Sequence, residues 1–279
     1  MLRRLIALAL VPLALTTSAA VAAKGGPAPG VQTGWDGAVD GASDLRYVAL
    51  PAGKTTAVAA VRRTDGRVLR YGTIPGAFGV PLVAFDGTTE GLSHDGRTLV
   101  LAGVATNRTQ TRFSVLRTST LRLARAITLP GLWSYDALSP DGRTLYAIQY
   151  LTSGANPRYA VRSVSLVTGK PVGGAIVDKR EPDEEMNGSP WARVRSASGA
   201  WAYTLYANPN GSSFVHALDT ARRRAFCIDL PWQSSVRALS TVRLSLADGG
   251  RRLVLSNPRA GRLAVVDTSS WKVSAFRKP

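Results

Sequence analysis

One hairpin turn recurs along the chain and limits the folds open to it. In its best form it reads Ser139-Pro140-Asp141-Gly142-Arg143-Thr144. Pro140 presets φ at the first central position of a type I turn, Asp141 bonds nearby amides, and Gly142 takes the positive φ that rejoins the outgoing strand. The residues that follow, Thr144 to Tyr150, are β-branched, aromatic and aliphatic, as a strand requires. A second copy is Ser93-His94-Asp95-Gly96-Arg97-Thr98. Weaker copies occupy 196–203 and 246–253, and a degenerate one lies at Val39-Asp40-Gly41. A second landmark is a strand ending at a threonine: Thr64, Thr118, Thr168, Thr220 and Thr268, spaced 54, 50, 52 and 48 residues apart.

A period near 50 with two turns per period accommodates four antiparallel strands, A to D, the unit of a β-propeller blade. In the third unit, A lies around Tyr135–Ser139, B at Thr144–Tyr150, C at Tyr159–Val167 and D at Pro171–Val177. The residues before Thr64 supply A, B and C of a first unit. The chain ends eleven residues after Thr268, enough for one D strand, Trp271–Phe276. The expected architecture is an all-β propeller of five four-stranded antiparallel blades, or six if Gly76 to Asp86 supplies strands of its own. No apolar stripe at i, i+3, i+4 marks a long helix after the N-terminal segment.

The sequence Ser-Pro-Asp-Gly-Arg-Thr-Leu-Tyr at 139–146, with Ala-Leu-Asp-Thr at 217–220 and Ala-Val-Val-Asp-Thr at 264–268, resembles the YVTN-type propeller repeats of bacteria, relatives of WD-repeat and TolB-like propellers. The likeness covers roughly residues 35 to 279. It implies a fold and very little about function, since such propellers serve as binding scaffolds, subunits and occasional enzymes. The pattern also resembles secreted propellers of GC-rich bacteria.

The N-terminus reads as an export signal over residues 1–23: basic Arg3 and Arg4, an apolar stretch from Leu5 to Leu15, and the small-residue pattern Ala20-Val21-Ala22. Residues 24–34 are expected to be a mobile, Gly/Pro-rich lead-in, and 35–279 a single domain without a transmembrane segment. The net charge is +17, and removal of Arg3 and Arg4 lowers it by two. In an exported protein this favours an anionic envelope polymer or a protein as partner. No nucleic-acid motif accompanies the charge, so nucleic acid is not expected. The single cysteine, Cys227, rules out an intrachain disulfide and a cysteine-based zinc site, and its apolar neighbours predict a buried structural thiol. The expected protein is a monomer of the extracytoplasmic space.

Strand direction alternates, so A–B and C–D turns share one side of the ring, and B–C and D–A loops the other. The first set is tight and the second long, which places binding on the B–C/D–A side. There the segment 178–188 carries five of the chain's 18 acidic residues. Glu181, Asp183, Glu184 and Glu185 are candidates for a cation site or for docking a basic ligand. Calcium is the ion such oxygens suit, although their spacing is not that of a known calcium loop. Trp133, Tyr135, Trp191 and Trp232, with Arg193 and Arg243, map near D–A junctions and are candidates for a ligand-stacking channel mouth. The competing assignment for the aromatic residues is blade packing. No catalytic residue or resident cofactor is assigned. The function expected is that of a binding scaffold, and the alternative is a lactonase- or hydrolase-type propeller using the 181–185 carboxylates at the channel mouth.

Overall fold

The computed structural model describes residues 30–104, 109–152, 157–182 and 186–279. A two-residue strand, β1 (Val31–Gln32), precedes five sequential groups of four strands. Blade 1 is β2 (Gly34–Val39), β3 (Leu45–Ala52), β4 (Thr55–Arg62) and β5 (Val68–Pro75). Blade 2 is β6 (Phe78–Pro81), β7 (Thr98–Gly103), β8 (Gln110–Arg117) and β9 (Arg122–Pro130). Blade 3 is β10 (Trp133–Leu138), β11 (Thr144–Tyr150), β12 (Tyr159–Ser165) and β13 (Pro171–Ile176). Blade 4 is β14 (Ser189–Arg195), β15 (Trp201–Ala207), β16 (Ser212–Asp219) and β17 (Arg224–Gln233). Blade 5 is β18 (Arg243–Ala247), β19 (Arg252–Asn257), β20 (Gly261–Asp267) and β21 (Val273–Ala275). Every strand pairs antiparallel with its sequence neighbour inside its blade. The blade count is the expected five. The stretch 76–86, which a sixth blade would have needed, instead supplies β6 and part of an insertion within blade 2.

Both faces of the middle strands are covered, which is why β7, β11 and β15 read as near-continuous apolar runs rather than alternating ones. Four apolar clusters stitch consecutive blades. Tyr47 and Val58 meet Leu99 and Leu116 between blades 1 and 2, and Phe113 meets Leu145 and Val164 between blades 2 and 3. Tyr146 and Val161 meet Tyr206 between blades 3 and 4, and Leu205 and Val215 meet Leu255 and Leu263 between blades 4 and 5. Among the described residues no apolar cluster, hydrogen bond, ion pair or ring contact joins blade 5 to blade 1. Val48, Ala59 and Val61 form a small cluster of their own on the far side of blade 1.

The two sequence landmarks bond to one another. In the A–B turn of blade 3, Ser139 Oγ donates to Asp141 Oδ1 (2.6 Å), which accepts from Arg143 N–H (3.1 Å), and Ser139 Oγ accepts from Thr144 N–H (2.9 Å). Blade 2 repeats this with Ser93, Asp95, Arg97 and Thr98. The threonine ending strand C then donates to the glycine carbonyl of the A–B turn: Thr118 to Gly96 (2.6 Å), Thr220 to Gly199 (2.8 Å) and Thr268 to Gly250 (2.8 Å). Their fixed separation in sequence is thus a hydrogen bond in space. A second device works on the opposite side of the ring. Thr56 and Thr111 each donate to a D–A glycine carbonyl, Gly76 and Gly131, and accept from the amides of Phe78 and Trp133.

At the end of the expected lead-in, β1 pairs antiparallel with β6, and Gly30 O accepts from Leu82 N–H (3.1 Å). This adds a fifth strand to the inner edge of blade 2. An unpaired inner edge would leave amides and carbonyls without partners, and β1 supplies them. The export signal assigned to 1–23 and the start of the lead-in lie outside the described residues. Among the described residues no helix is long and apolar enough to cross a membrane.

Candidate functional site

Residues 82–91 interrupt strand A of blade 2 and reach to blades 1 and 4. Leu82 bridges to Thr89, and Val83 N–H donates to Thr88 O (2.9 Å), so the insertion is a small hairpin. Thr89 Oγ1 donates to Gly37 O of blade 1 (2.9 Å), and Phe85 N–H to Pro190 O of blade 4 (2.9 Å). Asp86 Oδ2 accepts from Arg193 N–H (3.2 Å).

At its base sits a buried charge network. Arg193 of β14 donates from Nε to Glu90 Oε1 (2.9 Å), from Nη1 to Asp136 Oδ1 (2.9 Å) and from Nη2 to Asp136 O (2.7 Å), and also bonds Thr204 Oγ1. The side chains of Arg193, Glu90 and Asp136 are 1%, 5% and 2% exposed. Arg195 lies 3.7 Å from the other Glu90 oxygen. Burial alone would make the Arg193 guanidinium easier to deprotonate, but Glu90 and Asp136 more than offset it and hold the proton more firmly than usual. The sheets place these groups through β-bulges. Strand A of blade 3 shifts register between Tyr135 and Ala137, and strand A of blade 4 between Pro190 and Ala192, which re-aims the residues around the bulge.

Beside the network is a cavity of about 10 Å³, room for one water molecule, walled by Ser134, Tyr135, Asp136, Tyr150, Tyr159 and Tyr206 among others. Asp136 Oδ2 accepts no hydrogen bond among the described residues. Burial pushes the Tyr135 hydroxyl well above its usual range, with the Glu90 charge adding to the effect. Burial does the same to Tyr150, whose hydroxyl is 3.1 Å from Ser134 Oγ. A buried carboxylate oxygen facing a water-sized space suits one bridging water or one small donor group.

The expected channel-mouth residues separate. Trp133 and Tyr135 belong to the apolar cluster of blades 2 and 3, with Trp133 Nε1 donating to Pro130 O (2.8 Å). Trp232 lies in the cluster of blades 4 and 5. Trp191 is half-buried, and its ring centroid is 5.1 Å from that of Phe85 on the insertion. Arg193 is the centre of the buried network, and Arg243 is exposed on blade 5. Val31 of β1 packs against the cluster holding Trp133 and Tyr135, and Phe85 of the 82–91 hairpin against Trp191. Glu181 is exposed; Asp183, Glu184 and Glu185 lie outside the described residues. Among the described residues no three or more His, Cys, Asp or Glu gather in a metal-holding group.

Sequence reasoning missed Glu90 and Asp136. Asp136 did carry a signal, since it interrupts the otherwise apolar ending of β10. Glu90 carried none, because its position depends on the insertion turning inward.

At the B–C/D–A end of blade 5, charge concentrates without compensation. Arg243 pairs across the ladder with Ser256, and Ser256 with Arg262, so both arginines stand in one cross-strand row. Arg259 is in the adjoining turn, and Arg277 Nη1 donates to Ala260 O (2.8 Å). Arg237 lies on the one-turn helix α1 (Val236–Leu239) that leads into this blade, and Lys278 follows Arg277. All six are exposed, and none forms an ion pair among the described residues.

Five successive four-stranded antiparallel sheets stacked face to face, with blades 2, 3 and 4 joined through Arg193, define the architecture. The fold is a β-propeller. Dihydro-heme d1 dehydrogenase NirN, solved in complex with DHE, matches with a TM-score of 0.50 at 12% identity, covering 88% of this chain and 46% of its own. Hydrazine synthase of Kuenenia stuttgartiensis matches with a TM-score of 0.44 at 14% identity over 90% of this chain and 79% of its own. The Cps50 (Swd1) β-propeller domain of Myceliophteria thermophila gives 0.46 at 14% over 81% and 64%. The chain therefore spans under half of NirN and under two thirds of the Swd1 chain. At these identities the likeness concerns the fold alone. No family model matches the chain, and no curated protein does.

Proposed function

We propose that this chain is an exported, monomeric propeller scaffold that docks an anionic polymer of the cell envelope through the loop side of blade 5. The observation that supports this reading most directly is the group Arg237, Arg243, Arg259, Arg262, Arg277 and Lys278, exposed and without a carboxylate partner among the described residues. A concentration of like charge on a rigid blade carries a repulsive cost that a polyanion relieves. The aspartates of blade 5 sit in its tight turns on the opposite side: Asp267 accepts from Ser269 and Ser270, and Asp248 pairs with Arg252. These carboxylates are therefore not arranged to neutralise the arginines.

The experiment is retention of the purified chain on immobilised phosphate- or carboxylate-bearing wall polymer, with an uncharged polysaccharide as control, across a salt series. Binding to the anionic polymer should weaken steeply as salt rises from about 0.05 to 0.5 M, because exposed charges are screened over about 10 Å at 0.1 M salt. The Arg243→Ala/Arg262→Ala double variant should elute at lower salt. Equal retention on the uncharged polymer, or an elution point unmoved by the double substitution, would overturn the proposal.

A further inference from the structure

The chain contains one cysteine, two histidines and two methionines. One residue of each type lines the same small cavity between blades 3 and 4: Cys227, His216 and Met186. His216 of β16 and Cys227 of β17 stand directly opposite one another in an antiparallel ladder. That register puts both side chains on one face, with β-carbons about 5 Å apart. Met186 reaches the same space from the segment joining the two blades, held by the hydrogen bond from Tyr159 N–H to its carbonyl (3.1 Å) and packed on the same apolar cluster.

His216 is 1% exposed, and neither ring nitrogen has a hydrogen-bond partner among the described residues. Two unmet polar atoms on a buried ring cost more than a native core normally leaves uncompensated. The neutral imidazole is the form that donates a lone pair to a metal. The cavity is about 10 Å³, space for one water or one ion. Ile176 and Val177 make much of its remaining wall apolar. Asp178 also borders it, but that carboxylate is taken by Arg180 (2.6 Å) and by Cys227 N–H (2.8 Å).

We propose that His216, Cys227 and Met186 form a binding site for a soft monovalent cation of the Cu(I) type. Thiolate, thioether and imidazole are the donors such an ion prefers, whereas calcium and magnesium require oxygen. On binding, the Cys227 thiol releases its proton to solvent and its sulfur donates an electron pair to the ion, with no change of oxidation state. The half-exposed Cys227 gives the ion a way in, and the Glu181 carboxylate on the wall attracts it.

The test is anaerobic titration of the full chain with Cu(I) against a chromophoric chelator, followed by X-ray absorption of the loaded protein. The expected result is one tightly held ion with two sulfur neighbours and one nitrogen neighbour. Cys227→Ser should lower affinity by at least about 100-fold and Met186→Leu by at least about tenfold, since losing even an outer-shell partner costs about 10–100-fold. Met186→Leu nearly conserves volume, so it separates loss of a ligand from loss of the fold. Failure of the wild-type chain to compete for Cu(I) would overturn the proposal and assign the cavity to water. Unchanged affinity in Cys227→Ser, or in a folded Met186→Leu, would overturn it as well.

Discussion

Replacing Arg193 with methionine tests whether the ring is held at its centre by charge. The substitution keeps an unbranched apolar stem and removes four hydrogen bonds, to Glu90, Thr204 and the side chain and carbonyl of Asp136. It leaves two carboxylates buried without their cation, since Glu90 and Asp136 side chains are only 5% and 2% exposed. Removing one partner of a buried ion pair costs about 3–5 kcal/mol. Against a total stability of about 5–15 kcal/mol, that is a large share. For a chain of this size it corresponds to a fall in Tm of roughly 10 °C. Equilibrium unfolding in urea, followed by circular dichroism, measures it. The triple variant Arg193→Met/Glu90→Gln/Asp136→Asn should recover much of the loss, because the penalty lies in unpaired charge rather than in the missing guanidinium. A loss below about 1 kcal/mol for the single variant, or no recovery in the triple, would refute the reasoning.

Two further outcomes follow from the turns and the core. Gly142 has φ 63°, and a β-carbon there would lie 2.9 Å from Ser93 Cβ of the neighbouring blade, so Gly142→Ala should destabilise by about 1–3 kcal/mol. Gly249, with φ 66° but open space around it, should lose only about 1 kcal/mol on the same change, and denaturant midpoints of the two variants compare them directly. Burial lowers the His216 pKa below its ordinary 6.5, so the unfolded chain takes up the proton more readily than the folded one. The metal-free protein should therefore lose stability as pH falls below about 6.5, and His216→Phe should remove that part of the slope in a pH series of thermal unfolding.

Much of the fold was legible in the chain because it rests on local chemistry. The Ser-Pro-Asp-Gly-Arg-Thr turn fixes its own geometry through side-chain bonds to amides within five residues, so its copies located the A–B hairpins of blades 2 and 3 directly. The threonine landmarks were equally readable, although their purpose was not. Only the folded blade shows Thr118 and Thr268 donating to glycine carbonyls across it. The candidate site was far less legible. Trp133, Tyr135 and Trp232 were placed at a channel mouth from their position near D–A junctions, and the structure buries them in blade contacts. Which side of a strand meets a neighbouring blade depends on bulges at Asp136 and Trp191, and a one-residue shift reverses every side chain beyond it.

The repeat, the strand order and the basic balance of charge are written in short-range turn chemistry or in composition, and they leave five or six blades open. Only packing selects five, by giving 76–86 to blade 2, and only packing brings the inner strands together. β1 completes the inner edge of blade 2, and the 82–91 hairpin crosses to blades 1 and 4. Arg193, Glu90 and Asp136 meet from three blades, over 57 and 103 residues of sequence separation. Met186, from the segment that joins blades 3 and 4, meets the His216–Cys227 pair of one hairpin. No period or motif encodes such meetings: they arise when blades pack, and packing brings together side chains that the sequence keeps far apart.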